Sequence, residues 1–183
     1  MDFLLITGMS GAGKSLTLNY FEDRGYFCVD NLPPALISKF AEICLQSDLK
    51  KIALVSDIRG REFFNELFVE LEKLEELDLN YDILFLEASN EVLIRRYKES
   101  RRRHPLDEEG RIVDSIDKER KMLEEIRGRA GKIIDTGELK KEELQKELDI
   151  SFFGEDDQSK LHLSLISFGF KYGIPRDADL VFD

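Results

Sequence analysis

Short apolar runs alternate with longer amphipathic stretches over most of the chain. The apolar runs predict strands at 3–7, 26–29, 52–55, 83–86 and 132–134. Between and after them, apolar side chains recur at helical spacing over 16–24, 33–44, 62–77, 90–97, 115–129 and 140–148. Runs that are apolar throughout are typical of strands buried on both faces. We therefore predict an α/β fold with a five-stranded, mainly parallel sheet, right-handed crossovers and helices on both faces.

Two of the predicted helices have recognisable starts. Pro33 and Pro34 predict the start of the second helix, because proline is tolerated in a first helical turn. Asn90 precedes an apolar stretch at helical spacing, and we expect its side chain to cap that helix.

Residues 8–15 join the first predicted strand to the first predicted helix and fit the pattern G-x-x-x-x-G-K-[ST]. They are Gly8, Met9, Ser10, Gly11, Ala12, Gly13, Lys14 and Ser15. Glycines let the backbone approach a phosphate closely, and the following helix directs the positive end of its dipole at the same point. We expect Lys14 to reach the β- and γ-phosphates and the Ser15 hydroxyl to bind Mg²⁺. This P-loop predicts a P-loop NTPase fold that binds a purine nucleoside triphosphate.

The composition changes near the end of the chain. We predict a P-loop nucleotide-binding domain over 1–150 and a polar, acidic linker over 151–160. Residues 161–183 read as the start of a C-terminal domain that this chain cuts off. A lone strand there would leave an unpaired edge, which could bring copies together as a homo-oligomer.

The charge balance narrows the classes of partner. The chain has 183 residues and a formal net charge of −11, so it should repel a nucleic-acid backbone. The sequence contains neither a signal peptide nor an apolar stretch of bilayer length, so we expect a cytoplasmic location and no membrane contact. Cys28 and Cys44 lack metal-ligand spacing, and we expect buried, reduced thiols.

Acidic residues follow several predicted strands, where ligands bind in open parallel sheets. Asp57 could bind Mg²⁺ directly or through water, or it could cap a helix or brace a loop. Asp30 could be a general base or a Mg²⁺ ligand, or it could cap the proline-started helix together with Asn31. We expect Glu87 to be structural.

A basic segment stands out in this acidic chain. We interpret Arg101, Arg102 and Arg103 as a mobile lid whose arginines, Arg102 and Arg103 above all, stabilise the transferred γ-phosphoryl group. We expect Arg95, Arg96 and Lys98 to lie on a solvated helix face that pairs with nearby glutamates. His104 could bind a phosphate or an RNA base, but a loop histidine without a role is the favoured interpretation.

Several segments together resemble the RapZ/YvcJ family of bacterial nucleotide-binding proteins. They are Gly8–Ser15, Asp30–Pro33, Asp57–Gly60, Arg101–Leu106, Ile134–Thr136, Ser167–Pro175 and Asp177–Asp179. The resemblance covers nearly the whole chain in the same order. The P-loop, the Asp30 segment and the arginine lid also occur in the order found in small-molecule and nucleotide kinases.

The resemblance implies slow hydrolysis of ATP and GTP. It implies an ATP segment at Gly8–Ser15 and a GTP segment formed by Asp57, Ile58, Arg59 and Gly60. The family includes an RNA-binding adaptor that controls amino-sugar synthesis, and its contacts with RNA and with amino-sugar phosphate lie largely in the C-terminal domain. We therefore expect no RNA function of this chain alone.

Three functions compete at this point. The favoured one is a regulatory NTPase in which Asp57 or Asp30 orients the attacking water. The second is a small-molecule or nucleotide kinase in which Asp30 deprotonates an acceptor hydroxyl. The third is a non-catalytic module that delivers RNA to a partner. An Asn-Lys-x-Asp segment, which reads guanine in many GTPases, is absent, and this favours ATP or mixed specificity.

Overall fold

A computed structural model describes residues 1–56, 61–101, 103–107, 111–154, 167–169 and 180–182. Strands and helices alternate along the chain. The strands are β1 Asp2–Gly8, β2 Phe27–Val29, β3 Lys51–Val55, β4 Tyr81–Glu87 and β5 Lys132–Asp135. The helices are α1 Lys14–Asp23, α2 Ile37–Leu45, α3 Arg61–Glu76, α4 Asn90–Ser100, α5 Ile112–Arg129 and α6 Lys141–Phe152. A short 3-10 turn at Pro34–Leu36 leads into α2, as the proline pair predicted.

The five strands form one sheet in the order β2-β3-β1-β4-β5, and every neighbouring pair is parallel. In the centre of the sheet, Ile6 of β1 is in register with Val55 of β3 and Leu84 of β4. All three side chains are buried. The predicted α/β fold is confirmed. The apolar runs of β1, β3 and β4 are largely buried, as expected for strands covered on both faces, whereas the edge strands β2 and β5 are only partly buried.

The end of β1 lies unusually close to β4. Gly8 has a φ of 132°, and a Cβ at this position would lie 2.0 Å from the Leu86 carbonyl oxygen. The next residue, Met9, donates its backbone N–H to the same oxygen at 2.9 Å. Glycine is therefore required here by both conformation and space.

Parallel strands bring all five carboxyl ends to one edge of the sheet. Side chains join these ends: the Thr7 hydroxyl of β1 donates to the Ser56 carbonyl after β3 at 3.5 Å. On the other side, the Thr136 N–H after β5 donates to the Glu87 carbonyl of β4 at 2.8 Å. Loops that start at this edge are consequently held in fixed relative positions.

The predicted cap of α4 is wrong by one residue. Ser89 is extended and its hydroxyl accepts a hydrogen bond from the Val92 N–H, so Ser89 is the N-cap. Asn90 is the first helical residue, and its amide contacts α5 instead. It donates to Asp117 at 2.7 Å and accepts from Arg120 at 2.9 Å.

The last described helix continues beyond the predicted domain boundary. Phe152 and Phe153 pack against Phe21 of α1, with ring centroids 5.3 and 6.2 Å away. The division into 1–150, 151–160 and 161–183 stays a prediction, because most of the chain after Gly154 lies outside the described residues.

Neither cysteine forms a disulfide. Cys44 is buried, whereas Cys28 is only half-buried, so the expectation of two buried thiols holds for one of them. Burial raises the pKa of Cys28 to about 11. In the described part of the chain, no helix has both the length and the apolar character needed to cross a bilayer.

Candidate functional site

The loop between β1 and α1 has the backbone of an anion-binding nest. Gly11 and Gly13 both have left-handed φ values, 85° and 101°. The Ala12 N–H donates to the Met9 carbonyl at 3.0 Å and closes the loop on itself. Within the described residues, the N–H groups of Gly11, Gly13 and Ser15 carry no hydrogen bond. These amides, at the N-terminus of α1, are available to an anion.

Lys14 lies across this loop. Its ammonium donates to the Gly8 carbonyl at 2.8 Å and to the Met9 carbonyl at 3.2 Å. The side chain is half-buried. A positive charge is therefore held over the same turn whose N–H groups are available to an anion.

A buried carboxylate on α5 holds the first half of the loop. Glu119 accepts the Ser10 N–H at 3.0 Å and the Ser10 hydroxyl at 2.5 Å. His104 Nε2 lies 3.2 Å from the same carboxylate. Glu119 is 4% exposed and His104 is 3% exposed. The favoured prediction, that His104 is a loop residue without a role, is wrong.

The environment of Glu119 keeps the carboxylate ionised. Burial, the largest single influence, raises its pKa. The hydrogen bonds from His104 and Ser10 and the charge of Lys14 lower the pKa, and together they outweigh burial. The net result is a pKa below the ordinary value of a glutamate. A fixed negative charge therefore lies beside the P-loop.

Arg96 of α4 contacts the loop from another direction. Its guanidinium donates to the Gly11 carbonyl at 3.0 Å, to the Thr136 hydroxyl at 3.0 Å and to the Thr136 carbonyl at 2.5 Å. Burial lowers its pKa, as does the charge of Arg95. The prediction of a solvated Arg96 paired with glutamates is wrong, because the helix turns this side chain towards the loop.

Thr136 completes this bracing. Its hydroxyl is 2.9 Å from the Ala12 carbonyl and 3.2 Å from the Glu87 carbonyl. Asp135, the residue before it, accepts the Gly137 N–H at 2.8 Å and so braces the turn that leads to α6. The loop after β5 and the P-loop thus form one hydrogen-bonded unit.

Among the described residues, two cavities adjoin the P-loop. One has a volume of about 310 Å³ and lies between the loop, Arg96, Thr136 and the start of α6. The other has a volume of about 440 Å³ and is lined by Gly11, Arg96, Tyr97 and Ser100. Arg96 and Gly11 border both cavities, so the guanidinium stands between them.

The β2–β3 side of the edge carries the first predicted catalytic carboxylate. Asp30 is exposed directly after β2. The N-cap of the following turn is Pro33, without a side-chain cap bond, so the interpretation of Asp30 as an N-cap is wrong. The loop is fixed to β3 because the Leu32 N–H donates to the Val55 carbonyl at 3.1 Å.

The second predicted carboxylate and its segment cannot be placed. Asp57, Ile58, Arg59 and Gly60 lie outside the described residues. The residue before them, Ser56, is buried, and its hydroxyl donates to the Leu32 carbonyl at 3.3 Å. Ser56 therefore lies beside the Asp30 loop, and the roles predicted for residues 57–60 stay predictions.

The predicted lid is described only in part. Arg101 ends α4 with a left-handed φ of 53° and is exposed, as is Arg103. Arg102 lies outside the described residues. The lid interpretation stays a prediction, but its His104 end is anchored in the protein interior.

Glu87, which we predicted to be structural, pairs with Arg127 of α5. The two hydrogen bonds measure 2.7 and 2.9 Å. The bond from Arg127 is the largest influence on the pKa of Glu87 and lowers it, although burial acts in the opposite direction. This contact occupies both carboxylate oxygens, in agreement with a structural role.

Sequence reasoning missed Glu119. A signal was present, because the buried face of α5 includes Ile116, Glu119, Leu123 and Ile126. An acidic residue within an apolar stripe at helical spacing indicates a buried carboxylate that needs partners. Its partner Ser10 is 109 residues away, and only the fold reveals that pairing.

Comparison with known proteins agrees with this geometry. A family model described as the RapZ-like N-terminal domain matches residues 1–156. The chain belongs to the RapZ-like family. A relative from Halothermothrix orenii, named nucleotide-binding protein, is 67% identical over 100% of this chain and 65% of its own length. One of the same name from Syntrophomonas wolfei is 53% identical over 100% of this chain and 62% of its own length. This RapZ-like chain therefore spans somewhat less than two thirds of those relatives.

Solved structures with much lower sequence identity share the fold of the RapZ-like chain. Shikimate kinase from Acinetobacter baumannii matches with a TM-score of 0.55 and 14% identity, over 86% of this chain and 95% of the kinase. The tunicamycin resistance protein of Deinococcus radiodurans matches with a TM-score of 0.57 and 15% identity, over 82% and 95%. At this level of identity the likeness establishes a P-loop kinase-like fold and nothing about substrates.

Proposed function

We propose that this RapZ-like chain binds the triphosphate of ATP or GTP with Mg²⁺ at Gly8–Ser15, hydrolyses it slowly and serves as a regulatory NTPase. One observation carries the proposal: the loop combines left-handed Gly11 and Gly13, uncommitted amides at the start of α1, and Lys14 across the turn. Backbone amides and a lysine together neutralise a polyphosphate without the cost of bringing in mobile groups. Both relatives are named nucleotide-binding protein, which supports the proposal.

The cavity of about 310 Å³ is the candidate site for the purine base. Its volume lies at the lower end of the range for ligand pockets. A planar guanidinium such as that of Arg96 can stack on a purine, and the apolar side chains of Leu16, Leu139 and Leu144 offer contacts to either base. This lining distinguishes the two purines poorly, in line with mixed use of ATP and GTP.

The donor set near the loop suits Mg²⁺, which prefers hard oxygen ligands. The Ser15 hydroxyl is exposed at the start of α1, and Asp57 would supply a carboxylate from the end of β3. Bound there, the ion would neutralise phosphate charge. Lys14 would also neutralise phosphate charge, from the other side of the loop.

Hydrolysis would need a group to orient water and groups to stabilise developing charge. Asp30 is exposed at the same edge of the sheet and is the described candidate for orienting water, and Asp57 is the other. Lys14 with Arg102 or Arg103 would stabilise charge on the γ-phosphoryl group. Because Asp30 is exposed, its carboxylate is poorly preorganised to hold one water in line with the γ-phosphate, and we expect slow turnover.

Regulation is proposed for the whole protein rather than for this chain. The relatives extend beyond the matched region, which covers 62–65% of their length. The resemblance places contacts with RNA and amino-sugar phosphate in that further part, and a triphosphate-dependent change in the lid or the Asp57 loop would be read there. A cytoplasmic location belongs to the same proposal.

A kinase is the second candidate, and two observations favour it. The fold resembles shikimate and sugar kinases, and Asp30 is accessible to an acceptor hydroxyl. In that case Asp30 would take the proton of the hydroxyl while the lid excludes water.

Phosphate release and acceptor dependence decide between these functions. With Mg²⁺ and ATP or GTP, the chain should form nucleoside diphosphate and free phosphate slowly and in equal amounts. Panels of sugars, hydroxy acids and nucleotides should leave the rate of diphosphate formation within about twofold. Acceleration by orders of magnitude with one acceptor would establish the kinase instead. Failure to bind either triphosphate in equilibrium dialysis would remove both functions.

A further inference from the structure

Glu119 and His104 form a buried contact that the proposed reaction does not use directly. An ionised carboxylate inside a protein costs several kcal/mol unless donors satisfy it. Glu119 has three donors: the Ser10 N–H, the Ser10 hydroxyl and His104 Nε2. Two of them belong to the P-loop and the third to the segment that follows the predicted lid.

The direction of these hydrogen bonds is fixed. The Leu106 N–H donates to His104 Nδ1 at 3.1 Å, so that nitrogen is the acceptor and Nε2 carries the proton. Nε2 therefore donates to Glu119. The result is one continuous chain of bonds from Leu106 through His104 and Glu119 to Ser10.

These hydrogen bonds are joined by others that fix residues 103–107, which follow the predicted lid. The Asp107 N–H donates to the His104 carbonyl at 3.0 Å, and the Ser115 hydroxyl of α5 donates to the Leu106 carbonyl at 3.3 Å. Arg103 is the neighbour of His104 and is exposed. A shift of the His104 backbone would therefore displace Arg103.

We propose that Glu119 is a positioning residue that couples the P-loop to residues 103–107. Triphosphate binding at the loop and the placement of Arg103 then depend on each other, and the dependence is reciprocal. The nucleotide half of this inference rests on the proposed function. The coupling between Ser10 and His104 does not, because both contacts belong to the protein itself.

Two substitutions of His104 separate coupling from packing. The amide nitrogen of glutamine can take the place of Nε2, whereas asparagine can replace only Nδ1. His104→Gln should therefore keep the bond to Glu119, and His104→Asn should keep only the bond from Leu106. The readout is hydrogen exchange of the Ser10 amide by NMR, because the hydrogen bonds among the described residues link Ser10 to His104 only through Glu119.

We expect His104→Asn to speed Ser10 exchange about tenfold, as befits a weakened bond to a charged acceptor. His104→Gln should leave it within about threefold of the parent. The control is Arg127→Gln, which breaks a different ion pair of the same helix and should change Ser10 exchange less than about twofold. Equal exchange in the His104→Asn variant and the parent would overturn the coupling.

If His104→Asn does not fold, the reciprocal experiment decides. Ser10→Ala should speed exchange of the Leu106 amide about threefold or more, and an unchanged rate would overturn the proposal. With ATP and Mg²⁺ added, Leu106 exchange should slow in the parent but not in Glu119→Gln. A parent that binds no ATP would overturn the proposed function, while the Ser10 comparison would still test the coupling.

Discussion

The carboxyl edge of the sheet has two halves that are built differently. On the β1–β4–β5 half, which we call the braced half, the P-loop is fixed through hydrogen bonds between its backbone and the side chains of Arg96, Thr136 and Glu119. On the β2–β3 half, which we call the exposed half, Asp30 is exposed, and the next residue, Asn31, has a left-handed φ of 57°. In the proposed function this difference separates two tasks: the first half would be preorganised for phosphate, and the second half would present a carboxylate to water or to an acceptor.

The largest effect should come from breaking the close approach on the braced half. In Gly8→Ala, the new Cβ would meet the Leu86 carbonyl oxygen at 2.0 Å, with a φ unsuited to alanine. We expect a loss of at least about 4 kcal/mol in the free energy of unfolding, measured by urea denaturation. Gly25→Ala is the matched control, since its φ is also left-handed but nothing lies within 4 Å. It should cost about 1 kcal/mol. Equal costs would contradict the requirement for glycine at position 8.

Next in size is the loss of the loop cation. Lys14→Ala should weaken binding of an ATP analogue with Mg²⁺ at least about 100-fold, because a charge-assisted contact to phosphate is lost. Calorimetric titration measures this, and thermal unfolding should stay close to that of the parent. Lys39→Ala, which removes an exposed lysine paired with Glu42, should bind like the parent. Parent-like affinity in Lys14→Ala would refute the assignment of the site.

Substitution on the exposed half should affect turnover and spare affinity. Asp30→Asn keeps the shape of the side chain but removes its basicity, so phosphate release should fall about 30-fold while the dissociation constant changes less than about twofold. Asp48→Asn changes another acidic loop residue, at the opposite end of β3, and serves as the control. If Asp30→Asn lowers affinity instead, the division of tasks between the halves is wrong.

The lid should show a smaller effect of the same kind. Replacing Arg102 and Arg103 by alanine should lower turnover about tenfold and change nucleotide affinity less, because these arginines are expected to act on charge that develops during transfer. Single-turnover kinetics and calorimetry on one preparation separate the two quantities. Unchanged turnover would return both residues to a solvated surface.

The smallest effect concerns Glu87, a structural carboxylate on the braced half. Its pKa is below that of an unfolded glutamate, so its stabilisation is present above the unfolded pKa and is lost as the pH falls through the folded pKa. Glu87→Gln should therefore cost about 0.5 kcal/mol at neutral pH, and the difference from the parent should vanish in acid. Denaturation across a pH series checks this, and a difference that persists in acid would mean that something other than charge is lost. Nucleotide affinity should not change.

The sequence predicted the order of strands and helices and the P-loop because both are local signals. Apolar runs such as 3–7 and 52–55 have to be buried on both faces, and the spacing of Gly8, Gly13 and Lys14 has one common use. The cap of α4 was misplaced by one residue, since Ser89 and Asn90 are both good caps and the choice depends on contacts with α5.

The bracing of the loop could not be predicted in the same way. Arg96 lies in a run of charges, and nothing local shows that its side chain turns towards Thr136, 40 residues away. His104 looked like a loop residue without a role because its partner, Glu119, belongs to a helix whose packing is set by tertiary structure. Contacts of this kind depend on the tertiary fold, and this is why the sequence did not predict the hydrogen bonds that hold the P-loop.

One titration tests the central claim most directly. The ¹⁵N-labelled chain is titrated with a non-hydrolysable ATP analogue and Mg²⁺ while its backbone amide resonances are followed. Saturable shifts of one-to-one stoichiometry should centre on the amides of Gly11, Gly13 and Ser15, because these donors are uncommitted in the described structure. A titration that never saturates, or that shifts residues at the opposite end of the sheet such as Lys50 and Asn80 while leaving these three unchanged, would contradict the account.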